Sequence, residues 1–306
     1  LPRVLWLLRM AAGEAPLDAA IHAMSTLATS GISGSTGFES AQAGFAGEVA
    51  VFAFLLLALS RLVFSSDMLV LTQTGLRRDP EFRLGLLLVV VVPLLLFVRH
   101  WVGAYDVAQE ENLRSAAQAL WGGMFTVLSF LTTTGFASAG WETAQAWSGL
   151  GTPGLTLMGL ALIGGGVATT AGGVKLLRVY ALYLHGMREI ERLVHPSSVG
   201  RAGGNSRRLR RQGAVVAFVF FMLYAVSLAA VSLLFAAFGA GFEDALALAI
   251  AALTTTGPLL DWAVAVPIAP ERLATGAKIV FAAAMVLGRL ELLAIIALLT
   301  PALWRR

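Results

Sequence analysis

Long apolar runs alternate along this chain with short polar ones. Residues 44–64, 84–101, 153–182, 213–238 and 274–299 are apolar enough to predict helical spans, since a helix needs about 20 such residues to cross a bilayer. Pro93 predicts a bend in the second of these runs. The run at 153–182 is broken by Gly164-Gly165-Gly166-Val167-Ala168-Thr169-Thr170-Ala171-Gly172-Gly173. Shorter helical stretches lie between the spans, at 17–29, at 113–131 and from Glu243 and Asp244 onward. Each shorter stretch ends in a polar turn. Leu1 to Met10 carries no leader cleavage site and reads as the tail of a helix, so the chain is expected to be a piece of a longer protein.

The three polar turns are nearly the same. They are Ser25-Thr26-Leu27-Ala28-Thr29-Ser30-Gly31, Ser129-Phe130-Leu131-Thr132-Thr133-Thr134-Gly135 and Ala251-Ala252-Leu253-Thr254-Thr255-Thr256-Gly257. Non-helical backbone at membrane depth is tolerated only when buried in protein or lining water. Its carbonyls need partners, and a dehydrated cation is one such partner. Glycine permits backbone angles that expose successive carbonyls, and Thr and Ser add hydroxyl oxygens. A single Thr-Thr-Thr-Gly would fit a helix cap or a small-residue packing motif equally well. Three copies, each after a short helix and before a span, point to a pore.

Composition agrees with a polytopic helical membrane protein. Of 306 residues, 58% are hydrophobic and only 13% are charged, and the mean hydropathy is +0.79. Soluble domains carry about 25% charged residues. The absence of cysteine excludes disulfides, thiolate metal sites and cysteine nucleophiles. A net charge of +4 would suggest nucleic acid in a soluble protein, but here the placement of the charges matters more. Arg77, Arg78 and Arg83 follow the first span. Lys175, Arg178, Arg188, Arg192, Arg201, Arg207, Arg208, Arg210 and Arg211 form a basic loop after the broken one, and Arg305 and Arg306 close the last. Asp106, Glu110, Glu111, Glu243 and Asp244 lie on the other side, with the polar turns. The basic side is therefore expected in the cytoplasm. The acids are either a solvated loop face or a mouth that concentrates cations.

These motifs resemble the Trk/Ktr/HKT superfamily of potassium transporters, and within it the bacterial Trk-type membrane subunit. The segment DAAIHAMSTLATSGIS (Asp18 to Ser33) is similar to that family's second pore loop, SFLTTTGFASAGWE (Ser129 to Glu142) to the third and ALTTTGPL (Ala252 to Leu259) to the fourth. GGGVATTAGGVKLLR (Gly164 to Arg178) resembles the broken inner helix of the third repeat, and MREIERLVHP (Met187 to Pro196) the cytoplasmic loop. MVLGRLELLAIIALLTPALWR (Met285 to Arg305) resembles the last inner helix. The resemblance implies an all-α protein built from tandem span–pore helix–span repeats around a pseudo-fourfold ion pore, with about two and a half of four repeats present. The expected units are 1–73, the end of the second repeat; 74–198, the third; and 199–306, the fourth.

It also implies roles for residues. Thr29, Ser30, Gly31 and Ile32 would supply filter oxygens from one quadrant. Thr133, Thr134, Gly135 and Phe136 would supply them from the next, and Thr255, Thr256, Gly257 and Pro258 from the third visible one. Potassium would be the transported ion, with no cofactor in this chain and no enzymatic activity. Glycine at the three equivalent positions fits the potassium-preferring pattern of the family. Pro258 lacks an amide proton and has a fixed angle, so its quadrant is expected to differ from the others. Implied surroundings are the inner membrane of a bacterium, a homodimer, and a cytosolic nucleotide-binding regulatory partner on the basic face.

A gate is expected below the filter. Glycines and threonines do not make a stable helix interior, so Gly164, Gly165, Gly166, Thr169, Thr170, Gly172 and Gly173 read as a flexible blocking loop, or otherwise as a small-residue helix crossing. Arg289 lies inside an apolar span, where a charge needs water or a partner. The resemblance places it in the pore under the filter. Glu291 is two residues away on the same helix and does not face it. Glu48 and Arg61 read as snorkelling residues at the ends of one span. His22, His100, His185 and His195 show no metal spacing and read as interfacial or packing residues.

Two other function classes compete. Gly31-Ile32-Ser33-Gly34 matches the G-x-S-G of intramembrane serine proteases, but a serine nucleophile needs a base within reach, and no later span carries a central histidine. An ion-coupled secondary transporter of another family would show inverted repeats, whereas these repeats run in one orientation. No Walker A order is present around Gly166 to Lys175.

Overall fold

The computed structural model describes residues 2–34, 38, 43–60, 79–103, 113–149, 153–167, 169–195, 204–264 and 266–290, with backbone alone at 99–103, 113–114, 153 and 204–212. All regular structure among them is helical. The helices are α1 (Pro2–Ala11), α2 (Pro16–Ala28), α3 (Gly44–Ala58), α4 (Pro80–Gly103), α5 (Leu113–Leu131) and α6 (Trp141–Ser148). They continue as α7 (Pro153–Ile163), α8 (Leu176–Val194), α9 (Gly204–Ala237), α10 (Phe242–Thr254), α11 (Leu259–Trp262) and α12 (Thr275–Arg289).

The packing repeats. α1, α2 and α3 touch one another; so do α9, α10 and α12. Between them, α5 packs on both α4 and α7. Each group thus holds the helix that leads into a polar turn against the helices before and after it. Adjacent groups meet in the same way each time, with α3 of the first against α5 of the second, and α7 of the second against α10 of the third. The expected unit boundaries at 73/74 and 198/199 lie outside the described residues.

Sequence accounts for which helix faces lipid. The stretches Pro80–Val98 and Gly213–Ala237 are long and apolar enough to span. At 1.5 Å per residue, they measure about 28 Å and 37 Å. Most of their side chains face outward, among them Leu87, Leu95, Phe218 and Leu233. α10 is the opposite. From Ala247 to Thr254 every residue is buried, and its alanines let neighbouring backbones approach closely. A helix buried on all sides belongs in the middle of the protein.

Some expectations need correction. The basic stretch is not a loop: Arg178, Arg188 and Arg192 lie on α8, and α9 already begins at Gly204, ahead of Arg207 to Arg211. A helix leaving the bilayer needs no break at the interface, so charge marked the membrane edge rather than the helix end. α4 continues through Pro93. α6 was not expected; it runs to Gly149, whose left-handed φ of 58° ends it. Arg61, Arg77, Arg78, Asp106, Glu110, Glu111, Arg201, Glu291, Arg305 and Arg306 lie outside the described residues, as does the continuation of the last span.

The α1–α2 corner is held by charge. Glu14 accepts from Arg9 Nε, and from Arg9 Nη2 at 2.7 Å. His22 Nδ1 lies 2.6 Å from the same carboxylate. All three side chains are buried, so this histidine packs within a charge cluster instead of at an interface. Burial alone would raise the Glu14 carboxyl, but the hydrogen bonds and charges of Arg9 and His22 outweigh it and hold the group below its ordinary value. Arg9→Met leaves that carboxylate without its main partner and should cost about 3–5 kcal/mol, read as a lower thermal midpoint of purified protein. Adding Glu14→Leu should recover most of the loss. The Glu14 contribution is complete above about pH 4.3 and fades as the pH falls through the lowered value. The double variant should lack that acid-side loss.

Candidate ion filter and gate

The three polar turns share one backbone design. α2, α5 and α10 each run into a threonine in the left-handed conformation: Thr29 at φ 46°, Thr133 at 57° and Thr255 at 56°. The amide of each threonine donates to the carbonyl three residues back, in Thr26, Phe130 and Ala252, at 3.1–3.3 Å. The next amide donates five residues back, from Ser30 to Ser25, Thr134 to Ser129 and Thr256 to Ala251, at 2.9–3.0 Å. This is the Schellman termination, which normally uses glycine at the left-handed position. A β-branched residue there is a strained outlier costing about 1–3 kcal/mol. Three strained threonines at one equivalent position indicate a function for the side chain.

The next left-handed residue is Gly31 at φ 68° in the first turn and Gly135 at 82° in the second. Ser30 and Thr134, between them, are not left-handed. Alternating handedness turns successive peptide planes so that their carbonyls line one side. The third turn departs from this, because Gly257 does not take the left-handed conformation. Pro258 follows it and restricts its angles.

The turns converge. A Cβ added to Gly31 would lie 2.2 Å from the Thr134 carbonyl oxygen and 3.0 Å from Pro258 Cδ. One added to Gly135 would lie 2.9 Å from Thr256 Cγ2 and 3.2 Å from Pro258 Cδ. Thr256 Oγ1 donates to the Thr133 carbonyl at 3.3 Å. Thr29, Thr133, Thr134, Phe136, Thr255 and Thr256 are buried, whereas Ile32 and Gly257 are exposed and Ser30 and Pro258 intermediate.

The glycine-rich segment lies across the ends of all three short helices. Thr170 Oγ1 donates to the Ala28 carbonyl at 2.7 Å and lies 3.1 Å from Thr29 Oγ1. The Gly172 amide donates to Thr133 Oγ1 at 3.0 Å. A Cβ at Gly165 would sit 3.3 Å from Thr132 Cα, and one at Gly172 would collide with the Thr254 carbonyl at 2.2 Å. Gly164 and Gly173 bracket the segment: a Cβ at Gly164 would lie 2.3 Å from the Gly172 carbonyl, and one at Gly173 2.6 Å from that of Ala161. The Gly166 carbonyl accepts from Thr169 Oγ1 at 2.7 Å. On one flank the Val167 amide donates to Glu81 at 2.9 Å. At the other end Lys175 takes φ 75° with ψ 137°, a conformation costly for a side-chain-bearing residue. Ala168 lies outside the described residues.

Arg289 joins this assembly. Its Nη1 donates to the Thr170 carbonyl at 3.0 Å and its Nη2 to the Ala28 carbonyl at 2.8 Å. Ala28 stands where the other turns have Thr132 and Thr254. Those two hydroxyls donate back to Leu128 and Ile250 at 3.0 and 2.7 Å. One of these carbonyls, that of Ala28, lies at a helix C-terminus, where a positive charge is favoured.

Two partnerships were not expected from sequence. Glu48 is not a snorkelling residue: it is buried and takes hydrogen bonds from Trp121, Ser138 and Ala139. Phe136 stacks on Phe38 with ring centroids 4.3 Å apart, and the His22 edge meets both rings. Ser33 is exposed, and among the described residues no hydrogen bond joins it to a histidine; His22 is engaged by Arg9 and Glu14. The serine-nucleophile alternative therefore gains no support.

Thr133→Val removes the acceptor of the Gly172 amide. Amide exchange across the 164–173 segment should then accelerate by about fivefold, the equivalent of one ordinary hydrogen bond, measured by mass spectrometry in detergent. Thr255 Oγ1 has no partner among the described residues, so Thr255→Val should leave that exchange unchanged.

Comparison with known proteins gives the family. Residues 4–305 match the family model of TrkH, described as a cation transport protein. The Trk system potassium uptake protein TrkH of Vibrio parahaemolyticus is 31% identical over 96% of this chain and 58% of its own length. Its namesake in Salmonella typhimurium is 32% identical over the same shares. The chain thus spans about three fifths of the length of the curated relatives it matches. The crystal structure of the potassium transporter TrkH from Vibrio parahaemolyticus superposes with a TM-score of 0.74 at 27% identity, over all of this chain and 63% of that one. With its converging turns and its spanning helices, this chain is an all-α membrane protein of the TrkH cation transport family.

Proposed function

We propose that the protein carries potassium into the cell down its electrochemical gradient, with or without a coupled ion. The observation that carries this reading is the alternation of left-handed residues at 29/31 and 133/135 in turns that converge within van der Waals contact. Potassium sheds its water only if protein oxygens replace it. Carbonyls and hydroxyls of Thr29, Ser30, Gly31 and Ile32, of Thr133, Thr134, Gly135 and Phe136, and of Thr255, Thr256, Gly257 and Pro258 would supply them, with a further quadrant from outside this chain. The C-termini of α2, α5 and α10 aim their negative dipole ends at the same place, which favours a cation there. The names of the relatives, potassium uptake proteins, support the choice of ion.

The segment 164–173 is the gate. In its position across the helix ends it bonds the hydroxyls of Thr29 and Thr133, so ions leaving the filter meet protein instead of water. Arg289 adds a positive charge at that level, and conduction requires loop and guanidinium to withdraw together because they share the Thr170 carbonyl. Each of the units 1–73, 74–198 and 199–306 would contribute one quadrant. The basic helices α8 and α9 would face the cytoplasm from the inner membrane of a bacterium. There they would meet a nucleotide-binding regulatory partner, in a homodimeric assembly.

Expressed from its full gene with its regulatory partner, the protein should restore growth of a potassium-uptake-deficient bacterium at low potassium. Normal production without rescue would overturn the assignment. Gly135→Ser places a side chain at a left-handed position against Thr256 and should lower the preference for potassium over sodium by about tenfold or more, the equivalent of a 1.4 kcal/mol change in relative barrier. Unchanged ion preference in flux assays would remove Gly135 from the filter. Arg289→Gln should raise potassium flux by severalfold.

A further inference from the structure

The backbone amides of residues 138–140, which follow the Gly135 turn, are held by side chains. The Ser138 amide donates to Thr126 Oγ1 at 3.2 Å, the Ala139 amide to Glu48 Oε1 at 2.9 Å and the Gly140 amide to Ser138 Oγ at 3.1 Å. Ser138 Oγ also donates to both Glu48 oxygens at 2.9 Å, and Trp121 Nε1 donates to Glu48 Oε2 at 2.7 Å. The carboxylate therefore gathers three donors, two of them from the three-residue stretch that starts just after Phe136 and Ala137.

Glu48 belongs to a different group of helices from the turn it holds. It sits on α3, while Trp121 and the turn belong to the α5 unit. Phe45 and Phe52, on the same face of α3, flank it and pack their rings on Trp121 at centroid distances of 5.0 and 5.2 Å. This apolar clamp sets the distance between the two helices, and the carboxylate then fixes the segment beyond the turn. A carboxylate at this depth is costly unless donors surround it, and charge-assisted bonds are about twice as strong as neutral ones. It is an anchor at one end of a backbone whose other end is fixed by the helix termination at Thr133. Both ends of the Thr134–Gly135 peptide are then set, and with them the direction of its carbonyls.

We propose that Glu48 is a specificity-determining positioning residue, which holds the segment following Gly135 so that the filter carbonyls of this quadrant keep the spacing that favours potassium over sodium. This rests on the filter reading above. Loss of the anchor frees the carbonyls to close on a smaller ion, so the ion preference falls even where transport persists.

The test compares rubidium uptake and its inhibition by sodium in cells expressing the full gene. Glu48→Gln should lower the potassium-type preference by about tenfold, the scale of a hydrogen bond to a charged group. Ser138→Ala, which leaves the carboxylate its other two donors, should lower it by about threefold. The double variant should match Glu48→Gln alone, because both changes break one linkage. A merely structural role would reduce the amount of protein and leave the sodium-to-rubidium ratio of the remainder unchanged. If Glu48→Gln fails to reach the membrane, Ser138→Ala and Trp121→Phe carry the same test. An unchanged ratio in these variants beside an altered one in Gly135→Ser overturns the role of Glu48 and leaves the filter standing. An unchanged ratio in Gly135→Ser as well overturns the filter reading, and this inference with it.

Discussion

A helix that stops inside a bilayer leaves carbonyl groups with no water to turn to. The rest of this structure follows from how α2, α5 and α10 meet that constraint. Two carbonyls at each end are taken by the reversed amides of the termination itself. Others are taken from outside: Arg289 and Thr170 serve Ala28, and the glycines near Thr132 and Thr254 let the 164–173 backbone lie directly on those ends. The left-handed threonines are part of the same solution. A glycine would turn the chain with less strain, but only a hydroxyl at that point can meet the Gly172 amide or the Thr170 side chain.

The polar turns and the segment 164–173 are therefore one hydrogen-bonded object. The segment 164–173 bonds Thr29 and Thr133, just past two helix ends, and is itself held by Glu81 at Val167 and followed by the strained Lys175. Movement of the segment cannot leave the hydroxyls of Thr29 and Thr133 as they are. Were it to withdraw, each would exchange a protein partner for water or, in the filter proposed above, an ion. The third turn is exempt, since Thr255 Oγ1 has no such partner among the described residues.

Much of this was legible in the sequence because it is written locally and three times over. Seven residues specify each termination, and the apolar runs around them specify the helices that press it into place. The broken inner helix was legible for the same reason: five glycines and two threonines in ten residues admit no regular helix. What was not legible depends on partners far apart in the chain. Glu48 is 73 residues from Trp121 and 90 from Ser138, and no spacing rule connects them. Alone near a helix end, it looked like a residue reaching for water. His22 was similar, since its meaning lies in Arg9, Glu14 and two phenylalanines. The start of α9 was misplaced because arginines mark where a membrane ends, not where a helix does.

The alanine that stands where the other two terminations carry threonine has a last consequence. Ala28 differs from Thr132 and Thr254 by lacking a hydroxyl, and that one vacancy in the pattern is where Arg289 and Thr170 dock. If these turns line the pore proposed above, a pore assembled from identical chains could not be built this way. Rotation would copy the arginine into every sector, and several guanidinium groups facing one axis would repel each other. It would also copy the crossing segment, and the copies would collide. Fusing the sectors into one chain lets gene duplication keep the shared turn while each sector drifts on its own. A segment such as 164–173 can then be attached to one wall, as a door is hung from one side of its frame.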